Sequence, residues 1–223
     1  MPNWFCGICP RAGSAALMGL TTLTLGLEQA LADFTACRTA TVFPTGWGAG
    51  YGLIRALVRP TDHVVIDLLA HACLQEGAAA ATPHVHRFPH LSTDGVARRL
   101  HRLREIDPQA GVLVVTESLF SMDSDSPDLG ALQHLCRRHR ATLMVDVAHD
   151  LGALGRGGRG ALEDQGMLGE IDIVMGSFSK VLVPALRIGW AVAAPELLGR
   201  MGLLKVAADT QTSTLNMAAA SLF

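Results

Sequence analysis

The 223-residue sequence predicts an α/β protein, with a mostly parallel sheet flanked by helices in three α/β/α layers. Three observations carry the prediction. The short runs "HVVID", "GVLVVTES", "TLMVDVAH" and "IDIVMGS" are apolar on both faces, as strands covered by helices on both sides must be. Stretches of helical periodicity separate them, the pattern of βαβ units. Hydrophobic residues make up 49% and aromatics only 5%, so the core is mostly Ala, Leu and Val, which suits helices on a parallel sheet better than a β-sandwich.

In chain order, Leu20, Leu23, Leu27, Ala30, Leu31 and Phe34 recur at helical spacing within residues 15–34, and "TATVF" follows as a short strand. A Gly-rich turn leads to a helix over 48–58. Strands are expected at 63–67 and 85–88, then a helix over 93–106 and a strand from Gly111. A helix over 128–140 precedes the strand that ends in "VDVAH". Beyond a Gly-rich loop, strands at 171–177 and 187–193 lead into helical sequence. The expected organisation is an irregular segment 1–12, a large domain 13–205 and a C-terminal helical segment 206–223, with the rest of a small domain absent.

The formal net charge is −2 with both signs scattered, which argues against a nucleic-acid or anionic-membrane surface and for a small-molecule ligand. No apolar run approaches the roughly 18 residues of a membrane span, and the start lacks the basic-then-apolar order of a secretory signal. Five cysteines at irregular spacing fit a reduced compartment, so a cytoplasmic location is expected. Cys6 and Cys9 have C-x-x-C spacing but neither a following helix nor two further zinc ligands. His84, His86 and His90 lack a nearby carboxylate or cysteine and are expected to be surface histidines; no metal site is expected.

Polar residues interrupt three apolar runs at Glu117–Ser121, Asp146–His149 and Ser177–Lys180, the carboxyl ends of expected parallel strands, where ligands of open α/β sheets bind. Their types suit pyridoxal phosphate. That cofactor needs a lysine for its Schiff base, a carboxylate to hold the ring nitrogen's proton, and donors for its phosphate. Lys180 in "GSFSK" can be the first, and Asp146 the second, since a buried Asp needs a cationic partner and a pyridinium is one. His149 can meet the phenolic oxygen, and Ser177 or Ser179 the phosphate.

The motifs, in order, resemble the α-oxoamine synthases, a group of fold-type I pyridoxal-phosphate enzymes that includes serine palmitoyltransferase and 8-amino-7-oxononanoate synthase. "GLEQALADF", "PTGWGAGYG", "LAHACLQEGAAAA", "VVTESLFSMDSDSPDL", "VDVAHDLGALGRGGRG" and "DIVMGSFSK" each have a counterpart there. The resemblance implies a fold-type I large domain in which Gly46 and Trp47 meet the phosphate and His71 stacks on the ring. It also implies that Ser121 and His149 contact the cofactor beside Asp146, and that Ser177 binds phosphate. Lys180 would carry pyridoxal 5'-phosphate as a Schiff base and catalyse with His71 and Asp146 the condensation of an amino acid with an acyl-CoA, in a homodimer that shares its site. "GALGRGGRG" is then a loop near the site, because a dinucleotide fingerprint would keep G-x-G-x-x-G order and open a helix.

Cys73 and Gly50 replace a hydroxyl residue and an Asn of the family pattern. After Lys180, "VLVPALRIGWAVAAPELL" resembles class I aminotransferases instead, whose Arg here binds phosphate. Arg187 is the matching residue, and a guanidinium suits that bidentate role. An aminotransferase and a truncated non-catalytic subunit are therefore the alternatives. Against the first, His149 stands where aminotransferases have a Tyr, and no Asn-Pro follows the earlier strand.

Overall fold

The computed structural model describes residues 20–199, Lys205 and 212–222. Cys6, Cys9 and the segment 1–12 lie outside the described residues. Seven strands form one sheet: β1 (Thr39–Phe43), β2 (His63–Asp67), β3 (Val85–Phe88), β4 (Val112–Glu117), β5 (Thr142–Asp146), β6 (Ile173–Ser177) and β7 (Gly189–Ala193). Their spatial order is β1-β7-β6-β5-β4-β2-β3. All neighbours run parallel except β7, which is antiparallel to both β1 and β6. The mostly parallel expectation holds.

Alternation along each strand divides the core in two. Val64, Ile66, Leu113, Val115, Met144, Ile173 and Met175 face one layer, made by α2 (Gly46–Leu57) and α3 (Ala72–Ala81). Val65, Phe88, Val114, Leu143, Val145, Val174 and Trp190 face the other. That second layer contains α1 (Thr22–Phe34), α4 (Thr93–Ile106), α5 (Leu129–Arg138) and α7 (Thr214–Ala220); a single helical turn, α6 (Ala161–Asp164), follows the Gly-rich loop.

Side-chain caps start the longer helices. Thr21, Thr45, Ser92, Asp128 and Ser213 each accept a backbone N–H from the first turn of α1, α2, α4, α5 and α7. β1 is an edge strand, and Glu28 of α1 occupies its free edge by accepting the Val42 N–H at 3.0 Å.

Two sequence expectations change. Periodicity assigns no helix between β2 and β3, yet α3 lies there: "ACLQEGAAAA" is small and apolar nearly all round, so it has no stripe for a periodicity argument to find. His90 is not a surface histidine. Its Nδ1 lies 2.9 Å from Oδ1 of the fully buried Asp67, and its Nε2 lies 3.1 Å from Asp125 Oδ1, so carboxylates distant in sequence enclose it.

Candidate active site

The carboxyl ends of β4, β5 and β6 lie side by side, with Glu117 opposite Asp146 and Asp146 opposite Met175. Above them opens a cleft of about 210 Å³. Every site residue expected from the sequence lines it except Ser121: Gly46, Trp47, His71, Asp146, His149, Ser177, Ser179, Lys180 and Arg187 are all there. Cys73, Ala148 and Met175 complete the lining. Ser121 is exposed on the loop after β4. There the Phe120 N–H donates to Asp125 O and the Ser124 N–H to Phe120 O, so the loop closes on itself.

α2 aims its N-terminus at the cleft. Thr45 caps it by accepting the Gly48 N–H at 2.8 Å, and the N–H groups of the first turn form a site suited to an anion. Residue 46 is glycine because a Cβ there would come within 2.8 Å of Ser177 Cβ at the end of β6. Ser177 is buried and its Oγ accepts the Ser179 N–H at 3.0 Å, tightening the turn that presents Lys180. Arg187 closes the segment after a 3-10 turn at Pro184–Leu186. Its backbone is left-handed (φ 48°, ψ 54°), and its Nη1 donates to Pro184 O at 3.2 Å.

His71 is held from two sides. Its N–H donates to Glu117 Oε1 at 2.6 Å, and its Nδ1 accepts the Cys73 N–H at 3.2 Å, which leaves the ring proton on Nε2. Burial lowers its pKa, and the Lys180 ammonium lowers it further. His149 is lowered by burial, then by Lys180 and His71. Both imidazoles therefore stay neutral beside Lys180.

The carboxyls behave in the opposite way. Asp146 is 6% exposed, and burial pushes its pKa up to about 7, only partly offset by the Ala148 N–H that donates to Oδ1 at 2.9 Å. Glu117 is raised to about 8 by burial and then by the Asp146 charge. Two buried acids adjacent in register, with no basic residue among the causes that act on either, form a site short of one positive charge.

The substitutions Gly50 and Cys73 meet each other. A Cβ on Gly50 would come within 2.8 Å of Cys73 Sγ, so the larger sulfur occupies space that a side chain at position 50 would fill. The Gly-rich loop is held from below. Glu163 Oε2 accepts the Gly157 N–H at 2.8 Å, and only the four-residue α6 follows, so no helix is opened for a dinucleotide. A larger cavity of about 610 Å³ lies between α1 and Phe178–Leu182. None of the residues lining it is titratable, so the chemistry belongs to the smaller cleft.

Comparison with known proteins identifies the family. A serine palmitoyltransferase from Sphingomonas paucimobilis is 37% identical over 168 residues, which cover 75% of this chain and 39% of that protein. An 8-amino-7-oxononanoate synthase from Paracidovorax citrulli is 39% identical over 158 residues, covering 71% of this chain and 37% of the relative. The solved structure of Sphingomonas wittichii serine palmitoyltransferase superposes with a TM-score of 0.83 at 31% identity, over 95% of this chain and 53% of that one. The chain thus spans about two fifths of the curated relatives' length and about half of the solved one. The family model described as aminotransferase class I and II matches residues 11–222, and the chain belongs to that family.

Proposed function

We propose that the chain is the cofactor-binding part of a pyridoxal 5'-phosphate-dependent acyltransferase of the α-oxoamine synthase type, which condenses an amino acid with an acyl-CoA thioester. The observation that carries this reading is the convergence of Lys180, Asp146, His149 and His71 on one cleft. The names of the relatives, serine palmitoyltransferase and 8-amino-7-oxononanoate synthase, support it.

The residues fit the cofactor. Asp146 is a buried acid whose carboxyl lacks a cation, and a protonated pyridine nitrogen is that cation. The phosphate fits the α2 N-terminus at Gly46 and Trp47, the hydroxyls of Ser177 and Ser179, and the Arg187 guanidinium. When bound, pyridoxal phosphate supplies an electron sink for the carbanion formed at the amino acid's Cα.

The chain's own groups do the rest. Lys180 Nζ would be the covalent attachment point and the group that takes and returns the proton at the amino acid's Cα. Asp146 would hold the proton on the ring nitrogen. Neutral His71 would pack over the ring face, and His149 would hydrogen-bond the phenolic oxygen without adding charge beside Lys180. Trp47 meets His71 edge-on, with ring centroids 6.0 Å apart, and limits how far that ring can swing. The assignment of Ser121 to the same site rests on the family resemblance alone.

Trp47, Lys180 and Arg187 are exposed at the rim, which supports a homodimer in which a partner covers the cleft. The described cysteines Cys37, Cys73 and Cys136 are all free thiols, which supports a reducing cytoplasm. Among the described residues no helix is long and apolar enough to cross a membrane.

The test is spectroscopic and then catalytic. Pyridoxal phosphate produces a visible absorbance band that Lys180→Ala abolishes, and amino acid plus acyl-CoA then releases free CoA. An aminotransferase is the second reading, favoured by Arg187 in the cleft. If amino acid alone converts the cofactor to its amine form, a keto acid restores it and acyl-CoA releases no CoA, that reading replaces the first.

A further inference from the structure

At the opposite end of the sheet from the cleft, three histidines from two strands share one face. His63 opens β2, and His84 and His86 flank Val85 at the start of β3. The ladder pairs Val64 with Val85 and Val65 with His86, and the Val64 N–H already donates to His84 O at 3.0 Å. Side chains two apart on a strand project to the same side, here the side of Val65 and Phe88. The His63 ring stacks on His86 with centroids 5.2 Å apart and tilts against His84 at 4.9 Å. His63 Nδ1 and His86 Nε2 are 3.0 Å apart.

Two imidazole nitrogens that close share either a proton or a Lewis acid. Zinc–nitrogen bonds of about 2.0–2.1 Å, at angles between right and tetrahedral, place neighbouring ligand atoms about 2.9–3.4 Å apart. The observed spacing falls in that range. Burial is the first cause that lowers both His63 and His86. The mutual charge of the three rings and of Arg99, Arg102 and Arg104 acts in the same direction, while Asp62 and Asp107 oppose it at His63. Both influences favour the neutral imidazole, the form that binds metal. His84, whose ring centroid lies 4.9 Å from that of His63, is exposed and can turn to supply a third ligand.

We propose that His63, His84 and His86 form a binding site for a divalent transition metal of the zinc, nickel or copper class, one that clips the edge strand β3 to β2. A second cluster, His90 with Asp123 and Asp125, brings its donor atoms within 4.8 Å. There the Asp67 and Asp125 carboxylates outweigh burial and raise the His90 pKa, and both ring nitrogens already lie within hydrogen-bond distance of a carboxylate.

The test is zinc titration of the full chain, free of any affinity tag, in competition with a chromophoric chelator. The expected result is one zinc per chain, with affinity falling about tenfold or more in His63→Asn and in His86→Gln, and less in His84→Gln. Zinc should also raise the unfolding temperature of the unaltered chain and not that of His63→Asn or His86→Gln. All variants retain the cofactor cleft, so metal held there cancels, and the visible absorbance with pyridoxal phosphate verifies their fold. Absence of saturable zinc binding, or equal binding by the His63→Asn/His86→Gln double variant, overturns the proposal and leaves the assignment of Lys180 untouched.

Discussion

Asp146→Asn in the cofactor-free chain should stabilise the fold, although it removes the carboxyl assigned to the ring nitrogen. Burial moves that carboxyl from an ordinary 3.8 to about 7. Below pH 3.8 both folded and unfolded chains carry the proton and the residue costs nothing. Between 3.8 and about 7 only the unfolded chain ionises, so stability falls by about 1.4 kcal/mol per pH unit. Above about 7 the loss is complete, at roughly 4 kcal/mol as an upper bound. Asn keeps an oxygen for the Ala148 N–H and never ionises. It also removes the charge that helps raise Glu117 to about 8, which adds to the effect in the same direction. Urea denaturation at about pH 5 and pH 8 measures the difference: Asp146→Asn should gain on the parent by about 2–4 kcal/mol between these conditions. Pyridoxal phosphate should then restore more stability to the parent than to the variant, because only the parent can pair with the ring nitrogen. Parallel pH dependence of the two proteins, or a variant that is the weaker at pH 8, would falsify the account of Asp146 as an acid lacking its cation.

Three further outcomes follow from the geometry. Lys180→Ala should fold with unchanged stability and lose the visible band with pyridoxal phosphate, because Lys180 is exposed and supports no packing; circular dichroism and an absorbance scan separate the two effects. Gly50→Ala should destabilise by about 1–3 kcal/mol through its contacts with Cys73 Sγ, Leu74 Cδ2 and Met175 Sδ, and Cys73→Ala in the same chain should recover part of that loss in urea denaturation. The raised pKa of His90 implies a contribution to stability that is present below its ordinary 6.5 and lost as pH rises through the folded value. His90→Gln should flatten that limb of the pH–stability curve, and an unchanged limb would show that the Asp67–His90–Asp125 linkage carries no charge.

The strands and the cleft were legible in the sequence for one physical reason: a strand covered on both faces is a continuous apolar run, and its functional residue is the polar one that ends it. Asp146, Ser177 and Lys180 announce themselves in that way. α3 does not, because an Ala-rich helix has no polar face to set a period. Glu117 ends its run as clearly as Asp146, but its task of holding the His71 N–H depends on a turn 46 residues earlier in the chain. The three-histidine cluster is invisible for the same reason. "HVHRFPH" suggests His90 as the third member, whereas strand pairing supplies His63 and sends His90 to Asp67 and Asp125.

The position of β7 has a consequence for how the chain acquires its shape. Among the described residues β1 has β7 as its one strand neighbour, with Thr39 opposite Ala193, and β7 alone joins it to β6. Until that hairpin-like return is made, β1 and β6 are two open borders and the sheet is in two pieces. The return also closes the Phe178–Ile188 segment, since the Phe178 N–H donates to Ile188 O at 3.1 Å across its base. Lys180 is therefore presented to the cleft only once β6 and β7 have paired, and a chain stalled before that pairing would have a sheet edge to aggregate through.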